Sequence, residues 1–162
     1  MRSFEKISYQ QFQKDFSNDV EYDTIKIPKR KTISSAGYDF FLPFNLIIKP
    51  NETIKIPTGI KVCLEANEFL SIVVRSSLGI KYNMRMCNQV GIIDADYYNN
   101  EENEGHIIAF IKNEGSEIVE LEQGKGFVQG ILLNYLTVSD EESINDRRNG
   151  GFGSTDKEEK NE

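Results

Sequence analysis

The chain has 162 residues, 28% charged and 38% hydrophobic, which is the size and composition of one globular domain able to bury about two thirds of its unfolded surface. Its formal net charge of -7 excludes broad binding to nucleic acid or to an anionic membrane, because phosphate neutralisation needs a basic face. A phosphate ligand would have to be held by local arginines and a divalent cation. In chain order, the first segment, "MRSFEKISYQQF", lacks the apolar core of a signal peptide. Ser8 reads as the cap of a short helix, with Tyr9, Phe12 and Phe16 on one face at i, i+3, i+7. Phe4, Phe12 and Phe16 are expected to face the core from that helix.

Short strands follow. "DTIKI", "FNLIIK", "ETIKI", "GIKVCLEA" and "FLSIVV" are separated by Pro43, Pro50-Asn51, Pro57-Thr58-Gly59 and Asn67. Ile60, Val62 and Leu64 alternate with Lys61, Cys63 and Glu65, the period of a half-buried strand. "HIIAFIKN", "SEIVEL" and "FVQGILLNYLTV" continue the series. The pattern predicts an all-β, antiparallel sandwich or barrel with a short N-terminal helix. The segment "YYNNEENEG" (97–105) reads as a hairpin loop, residues 1–138 as the domain and residues 139–162 as a mobile arm. No apolar run approaches the roughly 20 residues needed to span a bilayer. Cys63 and Cys87 lack metal-ligand spacing and read as free thiols of a cytoplasmic protein.

The residues able to do chemistry fall between strands. Asp39 follows a glycine-aromatic pair in "SSAGYDFFLP", and Arg75, Ser76 and Ser77 follow an apolar strand in "VVRSSLG". Asp94 and Asp96 stand two apart in "NQVGIIDADYY", so a strand would point them the same way and a turn would separate them. Gln129 belongs to "GKGFVQGI". Near the C-terminus, "RRNGGFGST" combines arginines, glycines and hydroxyls, groups that suit phosphate oxygens. It is no Walker loop, because no lysine follows its glycines. Singly, each has a structural explanation in turns and surface hydroxyls. His106, the only histidine, reads as structural, and Cys87 as a packing residue.

Taken in order, "AGYDFF", "RSSLG", "NQVGIIDADYY", "GKGFVQGI" and "RRNGGFGST" (residues 36 to 155) resemble the five motifs of the trimeric dUTPase family. The resemblance implies a jelly-roll type fold and hydrolysis of dUTP to dUMP and pyrophosphate with Mg²⁺. It implies that Asp94 activates the attacking water and that Asp39 helps position the hydration shell of the cation. Arg75, Ser76, Ser77 and Gln129 match contacts to the phosphates. Asn88, Ile93 and the backbone of the 88–97 hairpin match the uracil reader, and Tyr97 would stack under deoxyribose. Arg147, Phe152, Gly153, Ser154 and Thr155 match an arm that closes over the nucleotide. The resemblance also implies a homotrimer in which three subunits build each site.

The sequence departs from the family pattern at Val74, where proline is usual, at Gly126, where arginine is common, and at Arg148, where glycine is frequent. Residues 98–104 look like an insertion. Two alternatives share the fold: a dCTP deaminase, and a dUTPase-like protein acting as a regulatory binding partner through the insertion. The deaminase uses a glutamate near the pyrimidine, and the 88–97 segment contains none.

Overall fold

The structure is a computed structural model and describes residues 1–142. Arg147, Phe152, Gly153, Ser154 and Thr155 lie outside the described residues. The chain begins with β1 (Ser3–Lys6) and α1 (Tyr9–Asp15), then a 3-10 turn at Tyr22–Thr24. There follow β2 (Lys29–Arg30), β3 (Tyr38–Phe41), β4 (Leu46–Ile48), β5 (Thr53–Pro57), β6 (Ile60–Cys63) and β7 (Glu68–Val74). After α2 (Ser76–Tyr82) come β8 (Met84–Met86), β9 (Gly91–Asp94), β10 (Ile108–Asn113), β11 (Val119–Leu121) and β12 (Gly126–Asn134). A second 3-10 turn, Ala95–Tyr97, follows β9.

Every ladder is antiparallel. Five strands form the largest sheet, in the order β2-β3-β12-β7-β9, and β5-β10-β8 form a second. The pairs β11-β4 and β1-β6 complete the all-β architecture. Alternation decides which side chains turn inward: Leu70 and Ile72 on β7 and Ala109 and Ile111 on β10 are buried, their neighbours half-buried. Phe40, Val128, Ile56, Ile60 and Phe127 join them in one cluster. Each of these larger apolar side chains, Ala109 aside, stabilises the fold by about 1.5–3 kcal/mol through removal from water.

The N-terminal helix forms as the sequence predicts, with the Ser8 hydroxyl accepting from the Gln11 N–H at 3.1 Å. Phe12 and Phe16 are buried and Tyr9 is exposed. Phe4, however, lies on β1, where its ring meets Tyr38 and Phe40 at 5.2 and 5.6 Å between centroids. "DTIKI" is not a strand: it opens with the 3-10 turn and continues unpaired, with Ile25 buried and Ile27 exposed. Residues 97–105 are no hairpin loop, because β9 pairs with β7 whereas β10 pairs with β5 and β8. They link two sheets. Cys63 and Cys87 are both free thiols.

His106 stands just before β10 and is fully buried. The Gly59 N–H donates to its Nε2 at 2.8 Å, so the ring proton sits on Nδ1, which meets the Asp15 carboxylate at 2.5 Å. This side chain ties α1 to the sheets. Among the described residues, no helix is long and apolar enough to cross a membrane.

Candidate active site

The register of the five-stranded sheet places Asp39 opposite Gln129, and Gln129 opposite Val73. Residues aligned laterally share a face. Phe40 and Val128, the next positions, are buried in the core, so Asp39 and Gln129 stand on the outer face. Lys29 is aligned with Asp39 from β2.

Arg75 follows β7 and is pinned by its backbone, whose N–H donates to the Phe127 carbonyl at 3.1 Å. Its guanidinium Nε lies 3.2 Å from Asp39 Oδ1, and Nη1 donates to the Gly126 carbonyl at 3.4 Å. A Cβ at position 126 would lie 2.6 Å from that Nη1. Glycine there lets the Arg75 side chain lie directly against the β12 backbone. Ser76 and Ser77 open α2 and are exposed. A Cβ on Gly37 would lie 2.4 Å from Gln129 Oε1, so the Gln129 amide rests directly on that glycine. Asp39, Arg75, Ser76, Ser77 and Gln129 thus gather at one end of the sheet. Gly37 is a supporting residue that the sequence pattern alone does not single out.

Asn88, Ile93, Asp94 and Tyr97 belong elsewhere in the chain. Asn88 is exposed in a turn whose bonds run from Gln89 N–H to Met86 O at 2.9 Å and from Val90 N–H to Asn88 O at 2.7 Å. Gln89 has φ 65, the left-handed region in which a non-glycine residue is uncommon. The flanking strands β8 and β9 pair with β10 and β7 respectively, so residues 88–97 form a corner between sheets rather than a two-stranded hairpin. Ile93 is opposite Leu70 and Asp94 opposite Phe69. The 3-10 turn that starts at Ala95 ends the strand, with Asp94 half-buried and Asp96 exposed. Asp94 borders a cleft of about 280 Å³ with Phe69, Ile92 and Tyr135.

Tyr97 is buried, with only 5% of its surface exposed. Its hydroxyl donates to the His106 carbonyl at 3.0 Å and accepts from Asn103 Nδ2 at 2.8 Å.

Asp94 and Arg75 are not brought together within one chain. From Phe69, the partner of Asp94, to Arg75 is six residues along and just past β7, or about 20 Å at roughly 3.3 Å per residue.

Residues 23–156 match the dUTPase family model. The chain belongs to the dUTPase family. The deoxyuridine 5'-triphosphate nucleotidohydrolase of Lactococcus lactis is 43% identical over 132 residues, 81% of this chain and 88% of that protein. The crystal structure of the dUTPase from Streptococcus mutans is 36% identical with a TM-score of 0.69, covering 85% of this chain and 98% of that one. A mutant dUTPase from phage phi11 of S. aureus, described as coordinating a structural Mg(II) ion, shares the fold at 17% identity. Its TM-score is 0.65, over 90% of this chain and 97% of that one. The family match of this dUTPase relative begins after β1 and α1 and takes in every site position given above.

Among the described residues no group of three or more His, Cys, Asp and Glu side chains could hold a metal ion. Mg²⁺ does not require such a cluster, because it keeps several waters and is commonly bound through one or two carboxylates and substrate phosphates. Asp39, with one oxygen toward Arg75, and Gln129 beside it fit such a water-mediated site.

Proposed function

We propose that this protein hydrolyses dUTP to dUMP and pyrophosphate by in-line attack of water on the α-phosphorus, limiting uracil in DNA and supplying dUMP for thymidylate synthesis. One observation carries the reading: the β3-β12-β7 register gathers Asp39, Gln129 and Arg75 in a chain whose family acts on this nucleotide class. Arg75 offers a planar fork to phosphate oxygens, and the hydroxyls of Ser76 and Ser77 donate beside it. Asp39 and Gln129 would hold the water shell of Mg²⁺, an ion that would neutralise charge on the triphosphate. Asp94, an acceptor-only carboxylate when ionised, takes the proton of the attacking water. Asn88, Ile93 and the backbone around them read uracil, and Tyr97 closes off the sugar.

The separation of Asp94 from Arg75 supports a site shared between subunits of a homotrimer. The cleft beside Asp94 supports it too, since Ile92 and Tyr135 are 51% and 43% exposed there, apolar surface of the kind that marks an interface. In this reading Arg147, Phe152, Gly153, Ser154 and Thr155, within an arm 139–162 that follows the 1–138 domain, close the site over the base and the γ-phosphate. The free thiols support a cytoplasmic setting. A regulatory binding role for the 98–104 insertion has less behind it, because Asn99, Asn100, Asn103 and Glu104 turn side-chain atoms toward this chain's own residues.

Product analysis tests the reading. Incubation with dUTP and Mg²⁺ yields pyrophosphate and dUMP, chelation stops it, and dCTP, dTTP and UTP react poorly. Release of ammonia from dCTP, or comparable turnover of dCTP and dUTP, would sink it.

A further inference from the structure

We propose that Asn103, supplied by the inserted loop, is the positioning residue that makes Tyr97 an unyielding wall against a 2′-hydroxyl and so sets preference for deoxyribonucleotides. The proposal rests on the reading of Tyr97 as the sugar-facing residue and adds the element that gives it stiffness. Stiffness matters because a pocket rejects an analogue bearing one extra hydroxyl only weakly, by roughly 10², unless something blocks it. A ring free to swing aside would let the ribose in.

The Tyr97 hydroxyl is committed in both roles open to it. It donates to the His106 carbonyl at 3.0 Å and accepts from Asn103 Nδ2 at 2.8 Å. The Asn103 amide is itself oriented: its Oδ1 accepts from Asn100 Nδ2 at 2.8 Å and from the Gly105 N–H at 3.1 Å, so its NH₂ is left to face the phenol. Asn100 is held in turn, its Nδ2 donating to the Tyr97 carbonyl at 2.9 Å. Its Oδ1 accepts from the Glu102 and Asn103 N–H groups at 3.0 and 3.1 Å. The loop therefore grips Tyr97 at both its carbonyl and its hydroxyl.

The backbone that permits this is tight. Asn99, Glu104 and Gly105 have φ of 55, 60 and 79, and a Cβ on Gly105 would lie 2.5 Å from the Tyr97 carbonyl oxygen. From outside, the loop is braced by the cap of α1, which precedes the family match, and by β6, which lies within it. Glu104 accepts from the Ser8 N–H at 2.9 Å and from the Ser8 hydroxyl, at the cap of α1. Lys61 Nζ reaches Asn99 Oδ1 at 2.6 Å. The insertion, β6 and the helix cap form one brace behind the ring.

The test is the ratio of kcat/KM for dUTP to that for UTP in the full-length protein with Mg²⁺. Asn103→Ala lowers that ratio by about three- to tenfold, the worth of one neutral hydrogen bond. It does so by raising kcat/KM for UTP, with kcat for dUTP staying within about twofold. In a Tyr97→Phe background, which lacks the hydroxyl, the same substitution changes the ratio by less than about twofold, because the two residues act as one unit. Asn103→Ser, which keeps a short acceptor near the Gly105 N–H but does not reach the phenol, behaves like the alanine variant and serves if that variant does not fold. An unchanged ratio, an equal loss on both substrates, additivity with Tyr97→Phe, or failure of both variants to fold overturns the proposal. A wild-type protein that hydrolyses dUTP selectively while Asn103 has no effect removes this proposal alone. One that does not turn over dUTP, or takes UTP equally well, removes the sugar-facing reading of Tyr97 with it.

Discussion

Asp94 and Arg75 stand at opposite ends of β7: Asp94 is paired with Phe69 near its start, and Arg75 follows Val74 at its end. A rigid strand of this length holds them about 20 Å apart, and no side-chain rotation closes such a gap. This separation is what the proposed sharing of sites between subunits rests on: if Asp94 and Arg75 both act on one nucleotide, they come from different copies of the chain.

Asp94→Asn is expected to leave the fold and dUTP binding nearly intact while lowering kcat by roughly 10²–10⁴, the usual contribution of a general base. The pairing of residue 94 with Phe69 is a backbone matter and survives the change. Steady-state kinetics with a binding measurement on dUTP separate the two effects, and a kcat near that of the wild type removes Asp94 from its role.

Gly37→Ala tests the seat of Gln129. The new Cβ falls 2.4 Å from Gln129 Oε1, the far end of a flexible side chain that moves aside with little cost to the fold. The melting temperature should shift by under about 2 °C, and upward if at all, since alanine reduces the freedom of the unfolded chain. Activity should fall by about tenfold in kcat/KM through the lost contact. In a Gln129→Ala background the substitution should have no kinetic effect. A large drop in stability, or activity unchanged in the single variant, would show that the contact is incidental.

Much of this was legible beforehand, and the misses have physical causes. Period-2 alternation from Ile60 named β6 and the short apolar run "FLSIVV" named β7, and each strand buries one face. "DTIKI" alternates as well, yet it pairs with no strand: Ile25 joins the core cluster beside Gly59, while Ile27 is 43% exposed. α2 went unannounced because "SSLGIKY" contains a glycine and a β-branched residue and buries only Leu78; tertiary context overrides weak propensity there. β1 has no buried face of its own and exists through pairing with β6. The order of the motifs pointed to Asp39, Arg75, Gln129 and Asp94. The resemblance implied sites built from three subunits; what the residues alone did not show is the register of β7 that sets Asp94 apart from Arg75.

His106 gives a pH dependence. Burial holds its pKa below the ordinary 6.5, opposed by the hydrogen bond and charge of Asp15, with Lys55 and Glu104 as further influences. The folded state thus keeps the ring neutral, with Nε2 accepting from Gly59. Because the folded value lies below the unfolded one, the unfolded chain binds the proton first as pH falls. The stabilising contribution is fully present above about pH 6.5 and is lost as pH falls through the lower folded value. Urea unfolding of the wild type should show stability declining in that window. In His106→Gln the baseline is lower and the decline attributable to this group disappears; an identical slope in both proteins would exclude His106 as its source.

The relation between Asp94 and Arg75 can be tested by complementation. Subunits carrying Asp94→Asn and subunits carrying Arg75→Ala are each inactive alone. Unfolded together in equal amounts and refolded, they assemble at random. A working site needs Arg75 from an Asp94→Asn subunit and Asp94 from an Arg75→Ala subunit. Each condition holds half the time, so about a quarter of sites recover in a closed ring of heterologous contacts. If Asp94 and Arg75 of one chain served the same site, every site would lack one or the other and no mixture would work. Inactivity of preparations shown by mass spectrometry to contain mixed assemblies would refute the shared site while leaving the assignment of the reaction untouched.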